Sequence, residues 1–415
     1  MSLGQLALGL VAASVVVAGC AATQQPPRAR RMPAAEAENP MHAILASHRG
    51  LRDVVDAARQ YRLQVVLGLV ETGPDGQPVL VQHGFRLGAE YFYPASSVKL
   101  FAAAAALERL AELREQTGLA VTADTPLIYH PLFSGEQRVA GDSTNLDGGF
   151  ITVRHEVRKI FLVSDNEAFN RLYELVGQDG LEASLARAGF PDARIVHRLD
   201  EPHTPEEDRR FPQIELVGED FRHTLPERSS ELLAPLPPIP GLEVGTAHIA
   251  DGERIDEPFD MSSKNRVALA DLQRALCTIV RPDVDCGAPG FRLDDADRAL
   301  VVEALGQLSR ESENPVYDPA EYPDAYAKFV LPGVARVLPP DRVRVYDKTG
   351  WAYGFSTENA YVVDEQTGRG FFLAATLYTN ADGVLNDDEY EYDTVAVPFL
   401  ENLGEAAARF VWDSP

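Results

Sequence analysis

The chain carries two strand-like runs near its start and three near its end, with residues 85–341 between the two sets. Gln64 to Val70 and Pro78 to Gly84 flank Glu71-Thr72-Gly73-Pro74-Asp75-Gly76-Gln77, a turn-rich connection that reads as a hairpin. Arg342 to Lys348, Glu358 to Asp364 and Gly370 to Thr379 are β-branched and aromatic runs bounded by Gly, Asn and Asp. Strands from both ends can share one sheet only if everything between them leaves it and returns. The expectation is an α/β (α+β) body built on a five-stranded antiparallel sheet flanked by terminal helices, with a helical lobe inserted at about residues 90–335. Ala43 to Tyr61, apolar at Ile44, Leu45, Leu51, Val54, Val55 and Ala58, and Thr394 to Phe410 are the expected flanking helices. A cleft between sheet and lobe follows from this layout.

The lobe opens with Tyr93-Pro94-Ala95-Ser96-Ser97-Val98-Lys99-Leu100 and the apolar run Phe101 to Leu107. Pro94 and the two serines mark a helix start, and Val98, Phe101, Ala102, Ala105, Leu110 and Leu113 keep a helical period behind it. A helix is therefore expected from Ser96, within a mostly helical region reaching to about Val176. Residues three apart share a helix face, so the Lys99 amine is expected back at the Ser96 hydroxyl, over the positive end of the helix dipole. An amine with a lowered pKa can take the proton of a hydroxyl whose own pKa is far too high. A capping serine followed by a surface lysine would look the same.

Two further clusters bear on the choice. Ser164-Asp165-Asn166 lies between helical runs at Val153 to Leu162 and Ala168 to Val176. In an extended link Ser164 and Asn166 point the same way, offering a hydroxyl and an amide to one cavity. The plainer alternative makes Ser164 and Asp165 helix caps. Asp347-Lys348-Thr349-Gly350 ends a strand with a charge, a hydroxyl and a glycine that admits a ligand to the backbone, or else is a strand end with a turn glycine.

Composition narrows the partners. A hydrophobic content of 45% over 415 residues can bury a large core, and a net charge of -25 speaks against nucleic acid, whose phosphates need a basic face. The nine histidines show no metal-ligand spacing, so neither a metal nor a cofactor is expected. Leu6 to Ala18 is too short for a comfortable membrane span and suits a signal peptide over residues 1–19. Its end, Val17-Ala18-Gly19-Cys20, resembles a bacterial lipobox, although Met1 to Gln5 lack the usual Lys or Arg. That resemblance implies lipidation of Cys20, a tether over residues 20–40, and a periplasmic or cell-surface lipoprotein. Cys277 and Cys286, close together in an exported chain, suit a local disulfide.

The order Ser96-x-x-Lys99, Ser164-Asp165-Asn166, Lys348-Thr349-Gly350 resembles the penicillin-recognising serine enzymes, class A β-lactamases and D,D-peptidases. Phe161 to Gly177, FLVSDNEAFNRLYELVG, is similar to the corresponding class A segment, and the likeness spans residues 43 to 411. The resemblance implies a β-lactamase/transpeptidase-like catalytic domain over residues 41–415 that opens β-lactam amides through an acyl-enzyme on Ser96. Lys99 would help activate Ser96, and Ser164, tuned by Lys348, would pass a proton to the leaving nitrogen. Asn166 would hold a substrate amide, and Lys348 and Thr349 a substrate carboxylate. The backbone N–H groups of Ser96 and of Trp351, just after Gly350, match the oxyanion hole.

Arg198-Leu199-Asp200-Glu201-Pro202 looks like the family's deacylation loop, which makes Glu201 the expected base. The usual Leu-Asn pair is replaced by His203-Thr204-Pro205, so Asp200, Glu206, Glu207 and a plain acidic surface cluster stay open. Residues 205–261 and 281–340 are longer than in compact class A enzymes, and a helix is expected to resume over Ser262 to Val280. Trp351-Ala352-Tyr353-Gly354 puts bulky rings where small residues are common. The implied partner is a small β-lactam or a peptidoglycan-derived peptide, acting on a monomer held at the membrane through Cys20. The alternatives are a peptidoglycan D,D-peptidase or other serine amidase or esterase of the same fold, and a non-catalytic penicillin-binding envelope protein.

Overall fold

Residues 39–231 and 233–413 are described in the computed structural model. The expected signal peptide, Cys20 with its lipid, and the tether up to residue 38 lie outside the described residues. At the start of the described residues, the Asn39 side chain caps the helix α1 (Pro40–Ser47).

The strands are β1 (Gln64–Thr72), β2 (Pro78–Phe85), β3 (Val343–Asp347), β4 (Gly350–Ala352), β5 (Phe355–Asp364) and β6 (Gly370–Tyr378). Their order is β3-β5-β6-β1-β2, antiparallel throughout, with the short β4 added on β5. The strands before the lobe meet those after it where β1 pairs β6, Gln64 opposite Thr376. The strand period of two sorts side chains to opposite faces. Val65, Leu67, Leu373 and Ala375 pack with Ile44 of α1 and Leu403 of the last helix, whereas Val66, Phe372 and Ala374 pack with Leu272 and Leu276 on the lobe side. At about 25 cal/mol per Å² of apolar surface, two such buried faces supply most of the drive for folding.

The lobe is built on α2 (Lys99–Thr117), α3 (Val153–Val163), α4 (Asn166–Val176) and α5 (Leu269–Val280), and α6 (Val397–Trp412) closes the chain over the sheet. Ala102 to Ala106 are all buried, because small side chains let α2 pass through the middle of the lobe with α4 against it. Cys277 and Cys286 are joined by a disulfide at the end of α5. No described helix is long and apolar enough to cross a membrane.

Several expected elements are corrected. The single helix over Ala43 to Tyr61 is broken into α1, a 3-10 turn Arg49–Leu51 and a short helix Arg52–Asp56. The break seats Gly50 on Asn402 of α6: a Cβ at Gly50 would come within 2.3 Å of Asn402 Nδ2. Ser96 lies in a 3-10 turn, Ala95–Val98, and the α-helix starts at Lys99. Residues 118–152 are loops with one short strand, Leu127–Tyr129, rather than helix. The helix expected from Ser262 starts at Leu269: residues 262–264 form a turn in which Lys264 N donates to Met261 O, and Arg194 and Arg266 then exchange backbone hydrogen bonds ahead of the helix. A π-turn, Tyr392–Ala396, precedes α6. The 205–261 insert folds as short hairpins: Ile214–Val217 and Arg222–Leu225 extend the Leu127–Tyr129 strand, and Glu243–Val244 pairs Phe259–Asp260.

Candidate active site

Ser96 opens into a cavity of about 590 Å³ formed by its own 3-10 turn, residues 197–202, β4 and residues 386–392. Gly350 presses its backbone against the Ser96 turn, since a Cβ there would lie 2.6 Å from Ser96 N and 2.8 Å from Pro94 O and Ser97 N. Only glycine lets β4 approach the turn this closely. Ala95, Asp200, Tyr353, Asn386 and Asp388, all lining the cavity, have positive φ without being glycine. Each such residue costs roughly 1–3 kcal/mol and persists only where packing imposes it.

The Lys99 amine is fully buried and does not sit on Ser96. Nζ donates to Ser164 O at 2.5 Å and Asn166 Oδ1 at 2.6 Å, with Ser164 Oγ at 3.4 Å, while Ser96 Oγ makes no hydrogen bond among the described residues. A desolvated amine goes to the strongest acceptors in reach. Here one is the carbonyl that Ser164 frees by capping α3 in the left-handed conformation, φ 60°. Burial, seconded by the Lys348 charge, holds Lys99 well below its usual value of 10.5. Nζ thus has two short acceptors, Ser164 O and Asn166 Oδ1, and one long contact to Ser164 Oγ; in the neutral form an amine has two hydrogens to donate and a lone pair.

Ser164 ties the second cluster to the third. Lys348 Nζ donates to Ser164 Oγ at 2.9 Å and to Thr349 O at 2.6 Å. With its acceptor side occupied by the Lys348 Nζ donor, the Ser164 hydroxyl has its own proton to give. Burial lowers Lys348 to about 7. The plainer reading of Asp165 also holds: it caps α4, accepting from Ala168 N at 2.7 Å, and pairs with Lys159 at 3.3 Å. Ser164 is a cap too, yet this is what aims its carbonyl at Lys99.

Glu201 lies in the wall of the same cavity, its side chain 42% exposed. Oε1 accepts from Asn170 Nδ2 at 2.8 Å, and Oε2 lies 3.0 Å from His203 Nε2. Asp200 shares the wall; Glu206 lines a different cavity, and Glu207 is spent on the Thr204 amide and hydroxyl. Asn170 was not evident from sequence as a site residue. It clamps Leu199 through both N and O, at 2.8 and 2.9 Å, as well as holding Glu201. Its signal was the helical spacing: four residues after Asn166, it shares that residue's face of α4.

The expected carboxylate binders are not presented to the cavity. Thr349 is buried and its hydroxyl donates to Ala327 O at 3.4 Å, and the Lys348 ammonium is committed to Ser164 and Thr349 O. Trp351, 43% exposed, stacks between Phe329 and Tyr392 with ring centroids 5.4 Å away on each side, which makes an aromatic ledge beside Gly350. Among the described residues no group of acidic, histidine or cysteine side chains is arranged to hold a metal ion.

Residues 84–234 match the sequence model of the Beta-lactamase enzyme family. No curated protein sequence matches the chain. Solved structures with a similar course include a β-lactamase from Desulfarculus baarsii, 16% identical with a TM-score of 0.48, covering 89% of this chain and 97% of that one. A β-lactamase from Xanthomonas campestris is 17% identical with a TM-score of 0.47, covering 90% and 98%. A class A β-lactamase from Clostridium kluyveri is 13% identical with a TM-score of 0.45, covering 87% and 97%.

Proposed function

We propose that the chain is a class A-like serine hydrolase that opens β-lactam amides through an acyl-enzyme on Ser96; the reading is supported by the match of residues 84–234, which include Ser96, Lys99, Ser164, Asn166 and Glu201, to the Beta-lactamase enzyme family. The observation that carries the reading is the buried Lys99–Ser164–Lys348 cluster beside a serine hydroxyl left free in a cavity. In this reading the lone pair of neutral Lys99 takes the Ser96 proton as Oγ attacks the lactam carbonyl. The oxyanion forms against the backbone N–H groups of Ser96 and Trp351, donors that cost nothing to reorganise. The C–N bond then breaks as the Ser164 hydroxyl gives its proton to the nitrogen and is resupplied from Lys99. Asn166, its Oδ1 engaged by Lys99, keeps its Nδ2 donors for a substrate amide carbonyl. Glu201 takes a proton from the water that attacks the acyl carbonyl, a role that Asn170 and His203 favour by fixing the carboxylate, and the proton passes to Ser96 Oγ as the acyl C–O bond breaks, which restores both groups.

The test is nitrocefin turnover together with fluorescent-penicillin labelling, the adduct located by mass spectrometry. Turnover with a transient adduct on Ser96 is expected, and S96A abolishes both. A long-lived adduct without turnover would indicate a D,D-peptidase-like enzyme, and the absence of both would leave a non-catalytic envelope protein. For location we propose export and lipid anchoring at Cys20, supported by Val17-Ala18-Gly19-Cys20. Metabolic palmitate labelling lost in C20S is the expected result.

A further inference from the structure

Five lysines occur in the sequence. Lys159 and Lys328 are ion-paired, to Asp142 at 2.9 Å and Asp347 at 2.6 Å, and Lys99 and Lys348 belong to the cluster around Ser164. Lys264 differs from all four. It follows the insert, lines the Ser96 cavity, and has no carboxylate within ion-pairing distance among the described residues. Its ammonium is instead held over two rings, 5.6 Å from the centroid of Tyr353 and 5.7 Å from that of Phe259, which stack on each other at 5.5 Å. Tyr353 is braced edge-on by Tyr93 at 5.0 Å, and Tyr93 stacks on buried His197 at 6.0 Å. A cation placed on ring faces is oriented without being neutralised, so its charge stays available to a ligand. The other cation in the cavity wall, Arg198, is consumed by Glu174, Asp208 and backbone carbonyls.

Position says which part of a ligand would meet that charge. Along the third cluster Lys348 and Ser164 lie on the side where the amide nitrogen leaves, and Gly350 packs on Ser96 N. Tyr353, under Lys264, is three residues beyond Gly350 in the direction away from Lys348, and it shares its neighbour Tyr93 with His197 of the loop that lines the same cavity. Lys264 therefore stands on the acyl side of the scissile bond. The cavity's carboxylates, Asp200, Glu201 and Asp388, repel anions elsewhere in it, which confines a negative group to this corner.

We propose that Lys264, cradled by Phe259 and Tyr353, is a specificity-determining residue that binds an anionic group on the acyl side chain of the substrate. The 205–261 insert thus has a task, because it supplies Phe259, one of the two ring faces that set the ammonium. The inference rests on Ser96 as the acyl-transfer nucleophile. It selects acyl donors bearing a carboxylate near the scissile carbonyl over neutral ones of the same size.

Benzylpenicillin and carbenicillin differ by a single carboxylate on the acyl side chain and test this directly. Acylation kinetics of the full chain with each are compared for wild type, Lys264→Met and Lys264→Arg. The carbenicillin-to-benzylpenicillin ratio of kcat/KM is expected to fall roughly tenfold or more in Lys264→Met, the contribution of one charge-assisted contact. Lys264→Arg should restore most of it, which a merely structural role for the lysine would not. In wild type the ratio should also decline with added salt. An unchanged ratio in Lys264→Met, with acylation intact, overturns the inference alone. No adduct with either penicillin in the wild type overturns the Ser96 reading and this inference together.

Discussion

Asn170 Nδ2 donates to Glu201 Oε1 at 2.8 Å while the same side chain grips both the N–H and the C=O of Leu199. One buried amide thus fixes a carboxylate and the backbone that carries it. Glu201→Gln should leave adduct formation intact and slow hydrolysis of the adduct by about 10²–10⁴, the range of a positioned general base. Asn170→Ala should slow the same step and also cost about 1–3 kcal/mol of stability, because Leu199 loses two buried partners. Pre-steady-state bursts with nitrocefin separate the two steps. A Glu201→Gln adduct that turns over at the wild-type rate would move the base to Asp200.

Lys99 can accept a proton only if it is neutral. Burial and the neighbouring Lys348 push it in that direction. Lys99→Arg keeps a positive charge and a similar reach but cannot deprotonate. Acylation should fall by about 10²–10⁴. In the wild type the acylation rate should rise with pH as Lys99 loses its proton, and that limb should vanish in the arginine variant. Adduct formation followed by mass spectrometry across pH checks both outcomes.

Glu174 accepts from Arg198 Nε and Nη2 at 2.9 and 2.8 Å and so anchors the loop that carries Glu201. Even so, burial outweighs the arginine and raises the carboxyl to about 7. The folded state therefore holds this proton more tightly than the unfolded chain, which releases it near 4.5. Stability from this group is fully present below pH 4.5 and is lost as pH rises to about 7. Glu156, also raised to about 7 by burial, acts in the same window and is present in both proteins compared. Stability of the wild type relative to Glu174→Gln should fall by about 2–3 kcal/mol across that window. Urea unfolding at pH 4.5 and 7.5 measures it, and parallel pH dependences in the two proteins would refute it.

What the sequence disclosed was whatever depends on short-range pattern. The strand runs, with period two and Gly or Asp ends, landed within a few residues of β1, β2, β3, β5 and β6, and the Ser96, Ser164 and Lys348 clusters meet in space. Partner choice within the cluster was not legible. Helical spacing pointed Lys99 at Ser96, but the carbonyl freed by the left-handed Ser164 is a stronger acceptor, and only tertiary structure brings it there. The close approach of Gly50 to Asn402 was hidden for the same reason, since Asn402 is remote in sequence. Thr349 reads as a ligand-facing hydroxyl until Ala327 O is placed against it.

Gly350 is where fold and chemistry depend most tightly on one atom. A methyl group there would meet three backbone atoms, Ser96 N at 2.6 Å and Pro94 O and Ser97 N at 2.8 Å, none of which can rotate away as a side chain would. Gly350→Ala must therefore push β4 off the Ser96 turn, which separates the Trp351 N–H from the Ser96 N–H. Loss of one oxyanion donor typically costs 10²–10³ in rate. Acylation of Gly350→Ala should fall by roughly that factor, whereas β4 is short and lies off the main strand order, so the sheet itself should persist. Far-ultraviolet circular dichroism and adduct kinetics on the same preparation decide the matter: native-like spectra with wild-type acylation would show that the turn and β4 tolerate separation, and that the oxyanion site is not built from these two amides.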